Sequence, residues 1–213
     1  MNRNEVTRVN FIKFLGMYLD EKLQWISHIN YVKAKISKGI GIICKAKKVV
    51  KLSTLITLYN SFIYPYLIYC IESWGTATNT HLHCLIKLQK KFLRIISNVP
   101  YNTESCPLFM KHNILNVKKI FQLRILIFMY KFSRQMLPNI FLNFFQFPNH
   151  VHDTRTNSLY RIPVYKTKCS QQSIRYQGVK LFNILSTVID RKCCIQTYKT
   201  RLKRYLISNE LNL

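Results

Sequence analysis

Acid is scarce in this chain. Its 213 residues hold eight Asp and Glu against 33 Lys and Arg, which leaves a net charge of +25. The eight are Glu5, Asp20, Glu21, Glu72, Glu104, Asp153, Asp190 and Glu210. No two aspartates are adjacent, and Asp20-Glu21 is the one neighbouring acidic pair. Nucleotidyl transfer needs clustered carboxylates to hold two divalent metal ions. Nothing of that kind is written here, and Asp20-Glu21 reads as a solvated turn. Metal-ligand spacing is missing too. Seven cysteines are scattered at 44, 70, 84, 106, 169, 193 and 194. His81, His83 and Cys84 cluster and Cys193-Cys194 are adjacent, but no C-x2-C pair faces another. Met1 to Asn10 is polar and charged rather than apolar like a secretory signal. With an odd number of cysteines, this predicts reduced thiols and an intracellular place, cytoplasmic or nuclear.

Apolar content is ample: 48% of the residues are hydrophobic, which excludes a chain disordered throughout. A net charge this high makes the chain self-repelling and favours a polyanionic partner, nucleic acid first and an anionic membrane surface second. Leu52 to Ile71 carries no charge and has the length of a bilayer span. Ser53, Thr54, Thr57, Asn60, Ser61 and Pro65 interrupt it. A buried helix with Ser53 as its N-cap is therefore the preferred reading, and a membrane-associated protein with a span at 52–71 the alternative.

Periodicity predicts a mainly α fold, with a short β-hairpin ahead of a helical bundle. Ile29, Val32, Ile36, Ile40 and Ile43 form one apolar stripe, with Tyr31, Lys35, Lys38 and Lys45 opposite. A second helix is split near Pro65. A third spans about Leu82 to Ser97, with Leu82, Leu85, Ile86, Phe92, Leu93 and Ile96 inward. On it Lys87, Lys90, Lys91 and Arg94 stand at i, i+3, i+4 and i+7, a cationic face without acid. A short helix from Pro107 and a nearly all-apolar helix from Asn116 to about Ser133 follow. The aromatic run Phe141 to Phe147 reads as core filling rather than a base-stacking surface. Residues 148–172 are polar and irregular, and two C-terminal helices complete the chain. The expected boundaries are 1–22, 23–147, 148–172 and 173–213.

Five segments carry a resemblance. Lys13-Phe14-Leu15-Gly16-Met17-Tyr18-Leu19-Asp20 with Trp25 and His28 reads K-F-L-G-x-x-[IL]-D-x-x-L-x-W-x-x-H-I. Leu58-Tyr59-Asn60-Ser61-Phe62-Ile63-Tyr64-Pro65-Tyr66-Leu67 follows, with Tyr69 and Trp74-Gly75. Then come Leu88-Gln89-Lys90-Lys91-Phe92-Leu93-Arg94-Ile95-Ile96, His152-Asp153-Thr154-Arg155, and Arg175-Tyr176-Gln177-Gly178-Val179-Lys180-Leu181-Phe182-Asn183. In this order they resemble the end of the palm, the thumb and the C-terminal region of jockey-like reverse transcriptases, the RNA-directed DNA polymerases of non-LTR retrotransposons. Phe182 stands where that family has Trp.

The resemblance implies a truncated part of such a polymerase, lacking the catalytic aspartates and inactive alone. It implies Phe14, Leu15 and Gly16 as primer-grip residues. Mg²⁺ is expected only for the full-length polymerase, and no cofactor for this chain. The implied partners are RNA and DNA as a template–primer duplex, held without regard to sequence, and the missing palm and fingers; a membrane is not among them. Candidate phosphate contacts are Lys35, Lys38, Lys45, Lys87, Lys90, Lys91 and Arg94. A stand-alone, non-enzymatic nucleic-acid-binding protein is the alternative.

Overall fold

The computed structural model describes residues 8–147, 159–186, 188–189 and 193–209. The His152-Asp153-Thr154-Arg155 segment lies outside them. Among the described residues the fold is mainly helical, with an antiparallel hairpin near the N-terminus. Two compact units divide it: residues 1–70 with 77–105, and residues 71–76 with 106–213.

The first unit opens with β1 (Phe11–Phe14) and β2 (Met17–Asp20), paired Phe11 to Asp20 through Phe14 to Met17. The two-residue loop between them is Leu15-Gly16, and both residues have positive φ, 46° and 80°. That is the backbone a tight, right-twisting hairpin demands, and glycine meets it without strain. β1 is exposed along its length and β2 half-buried, because β2 is the strand that packs on the first helix.

Helix α1 (Ile26–Ala46) buries the stripe Ile29, Val32, Ile36, Ile40 and Ile43, as its period predicts. The uncharged stretch at 52–71 breaks into α2 (Leu52–Phe62), α3 (Tyr64–Ile68) and the start of α4 (Ile71–Trp74). Pro65 sits in the first turn of α3, where its missing N–H costs nothing. No helix among the described residues is long and apolar enough to cross a membrane, which removes the span read at 52–71. The N-cap of α2 also differs from expectation. It is Lys51, in extended conformation, while Ser53 lies inside the first turn, where its carbonyl accepts from the Thr57 hydroxyl. Helix α5 (Asn79–Ser97) buries Leu82, Leu85, Ile86, Phe92, Leu93 and Ile96, as expected.

The second unit is centred on α7 (Val117–Ser133), preceded by α6 (Cys106–Lys111). Asn116 caps α7 by accepting from the Lys119 N–H at 2.9 Å, and the helix is buried on nearly all sides. Around it pack α4, α9 (Ile174–Leu185) and α10 (Ile195–Ser208), with α8 (Lys168–Gln171) against α9. The Trp74-Gly75 pair has a steric reason. Trp74 is fully buried, and a Cβ on Gly75 would lie 2.3 Å from the Phe121 ring of α7. Glu72 of α4 pairs with Arg124 of α7 at 2.7 Å. In the aromatic run Phe145 is core, packed edge-on to Phe132 at 4.8 Å, whereas Phe147 is largely exposed. Asn183 of α9 accepts from the N–H groups of Leu159 and Tyr160 and donates to the Tyr160 carbonyl at 2.8 Å. Phe182 is buried beside Tyr160.

Candidate nucleic-acid interface

Tyr59 on α2 and Gln89 on α5 fix the frame of the first unit. The Gln89 amide donates to the Tyr59 hydroxyl at 3.0 Å, and the Phe92 ring stacks on Tyr59 at 4.7 Å. Burial pushes the Tyr59 hydroxyl far above its usual ionisation range, so it stays neutral. With Leu82, Leu85, Ile86, Phe92, Leu93 and Ile96 inward, the outer face of α5 is left to cations.

On that face Lys87 and Lys91 are exposed, and Lys90 is half-buried. Arg94 is committed elsewhere. Its Nε and Nη2 donate to the Thr103 carbonyl at 3.0 and 2.9 Å, and its guanidinium lies 5.0 Å from the Tyr101 ring. A fork held by two hydrogen bonds keeps its charge but has fewer donors for a phosphate.

Helix α1 brings further cations beside α5. Lys33 and Lys87 both act on Cys84 of α5, lowering a thiol that burial raises more strongly. Farther along, Lys47 Nζ donates to Asn98 Oδ1 at 3.0 Å. These two points show α1 and α5 running side by side in the same sense. From Lys33 to Lys47 the seam measures about 20 Å, at 1.5 Å per residue. That length matches roughly six phosphates of one duplex strand. Lys38 and Lys45 are exposed on α1, while Lys35 lies 5.5 Å over the Tyr31 ring, towards the hairpin. Sequence periodicity does not single out Lys33, Lys47 or the commitment of Arg94, because all three depend on neighbours across the seam or past a helix end.

The hairpin is tied down at two places. Tyr69 donates its hydroxyl to the Leu15 carbonyl at 2.5 Å, and His28 Nδ1 faces the Tyr18 N–H at 3.5 Å. Tyr18 packs on Tyr31 at 5.2 Å. Phe14 and Leu15 nonetheless stay 56% and 71% exposed, and Phe11 58%. Asp20 caps the turn by accepting from the Gln24 N–H at 2.7 Å, and Arg8 pairs with Glu21. Among the described residues no group of three or more His, Cys, Asp or Glu is arranged to hold a metal ion.

No family model and no solved structure matches the chain. Curated proteins do. The RNA-directed DNA polymerase from mobile element jockey of Drosophila funebris is 30% identical over 105 residues, 47% of this chain and 11% of that protein. Its Drosophila melanogaster counterpart is 32% identical over 93 residues, 42% of this chain and 10% of that protein. A probable RNA-directed DNA polymerase from transposon X-element of Drosophila melanogaster is 26% identical over 115 residues, 52% of this chain and 12% of that protein. The chain thus matches only about a tenth of the length of these relatives. Over about half its own length it is similar to a short stretch of retrotransposon RNA-directed DNA polymerases, the family its motifs resemble.

Proposed function

We propose that this chain is the thumb-like and C-terminal part of a non-LTR retrotransposon RNA-directed DNA polymerase. It holds a template–primer duplex by phosphate contacts, without sequence preference and without polymerase chemistry of its own. The observation that carries the reading is the seam between α1 and α5. There Lys33 and Lys87 act together on Cys84 and Lys47 reaches Asn98, on one unit with a buried apolar underside and no carboxylate on either helix. Cations massed without acids repel one another, and an array of phosphates relieves that cost. The likeness to jockey and X-element polymerases supplies the class of polyanion. Catalysis belongs to carboxylates that this chain does not carry as a pair, so Mg²⁺ is a requirement of the whole polymerase and not of this part. In that setting Phe14, Leu15 and Gly16 form the exposed tip that meets the primer end.

The test is a salt titration of the purified chain against a fluorescein-labelled RNA–DNA duplex. With about four phosphates neutralised, log K falls against log salt with a slope of roughly −3 to −4. A slope near zero, or strong preference for one short sequence, overturns the reading. Primer extension above a protein-free control, with RNA template and DNA primer, overturns the absence of chemistry.

A further inference from the structure

Tyr101 is 80% exposed, yet its ring is held in place. It lies in the segment that follows α5. That helix ends on Asn98 in the left-handed region, φ 55°, with the Asn98 N–H bonded to the Ile95 carbonyl and the Val99 N–H to the Arg94 carbonyl. This Schellman-type end fixes where the chain leaves the helix. Arg94 then grips the Thr103 carbonyl with two donors and rests its guanidinium 5.0 Å from the Tyr101 ring. A tyrosine used for packing buries its ring. Here one side is backed by a fixed cation and most of the ring surface is left to solvent.

The neighbourhood selects the partner. Lys47 is joined to Asn98, which places the stretch Lys45-Ala46-Lys47-Lys48-Val49-Val50-Lys51 beside this helix end. That stretch carries four cations and no acid, and Glu104 is the one carboxylate at 98–105. An acidic peptide would match the charge but has no use for an upright aromatic face. Paired bases inside a duplex are already stacked on one another. An unpaired base offers both a free π-face and an adjoining phosphate.

We propose that Tyr101 is a stacking platform for an unpaired base of single-stranded nucleic acid whose phosphates pass the lysines at 45–51, with Arg94 as its positioning residue. This rests on the nucleic-acid reading above and extends it from duplex to single strand.

The full chain is titrated with a labelled oligothymidylate and, separately, with a blunt duplex of the same length. Replacing Tyr101→Ala weakens oligothymidylate binding roughly five- to hundred-fold, the range for loss of one base–aromatic stack. Duplex affinity and both salt slopes stay unchanged, and Tyr101→Phe restores the single-strand affinity. Arg94→Lys keeps the charge but loses the fork, so single-strand binding weakens at constant salt slope. If the wild-type chain binds both oligonucleotides and Tyr101→Ala changes neither, or weakens both alike, the platform is refuted while the duplex reading stands. If the wild-type chain binds neither, the nucleic-acid reading itself fails and takes the platform with it.

Discussion

Gln89 donates its side-chain amide to the hydroxyl of Tyr59 at 3.0 Å, and both side chains are buried. The two residues lie thirty positions apart, in different segments of the family resemblance. Their bond locks α2 to α5 beneath the cationic seam. Tyr59→Phe or Gln89→Met removes one partner and should cost about 1–3 kcal/mol each, the penalty for stripping a buried polar group of its bond. The double variant should cost clearly less than the sum, because both ends of the bond then go together. Urea denaturation of the four proteins measures this, and strict additivity would deny the coupling.

The same tyrosine predicts behaviour in alkali. Burial raises its ionisation above the ordinary value of 10.0. The unfolded chain therefore gives up this proton before the native one does. Its contribution to stability is complete below pH 10.0 and is lost as pH rises further, by up to about 1.4 kcal/mol per pH unit. Thermal melts above that pH should fall less steeply for Tyr59→Phe than for the wild type. Parallel curves would place the alkaline loss elsewhere.

His28 gives the opposite sign. Desolvation holds its pKa below the ordinary value of 6.5, so the native imidazole stays neutral where the unfolded one protonates. Stability is present above pH 6.5 and declines as pH falls through the lower native value. Protonation also turns Nδ1 into a donor, so it no longer accepts from the Tyr18 N–H. Amide exchange, corrected for its intrinsic pH dependence, should then quicken at Tyr18 as pH falls below 6.5 through the lower native value. His28→Leu should abolish the pH dependence. If it persists in that variant, another group is responsible.

What the sequence made legible is local. The stripe from Ile29 to Ile43 follows from the helical period, and the Asn116 cap from a side chain that bonds within one turn. Pro65 marks a break because its ring acts on its own backbone. What stayed hidden is non-local. The hold of Arg94 on Thr103 depends on the turn at Asn98, and the influence of Lys33 on Cys84 depends on how two helices pack. The bond from Tyr69 to Leu15 spans 54 residues. Ser53 misled because a capping residue type stood two positions past the actual cap. The candidate cations were thus readable on both helices, Lys35, Lys38 and Lys45 of α1 with Lys87, Lys90, Lys91 and Arg94 of α5, but not that Lys33 and Lys47 are the cations that meet α5.

The hairpin tip should be the least protected part of the first unit. Phe11, Ile12, Phe14 and Leu15 are all more than half exposed, and among the described residues β1 pairs with β2 alone. Tyr69→Phe removes the hydroxyl that holds the Leu15 carbonyl. Exchange at Gly16 and Met17 should rise several-fold while α1 and α5 keep their protection. Removing residues 1–22 should lessen aggregation and leave the helical part folded, as circular dichroism and light scattering would register. Slow exchange from Phe11 to Leu19 in a protein shown to be monomeric would mean that the hairpin finds cover in solution.

The cations of α5 can be removed without touching its core. Lys87 and Lys91 are exposed on α5 and Lys90 is half-buried at its edge, while Leu85, Ile86, Phe92 and Leu93 are buried. Arg94 is left in place because Thr103 depends on it. Gln has nearly the helix propensity of Lys, so the triple Lys→Gln variant should fold as the wild type does. Its stability should hold or rise slightly as like-charge repulsion is relieved. If these three lysines meet phosphates, the magnitude of the salt slope for duplex binding should fall by about 0.9 for each phosphate no longer neutralised, close to three in all. A smaller fall would assign part of the binding to the exposed Lys33, Lys38 and Lys45 of α1, and the same exchange made there should recover the difference. If affinity and slope are unchanged in both variants with the fold intact, the seam is a solvated surface and the polyanion is held elsewhere.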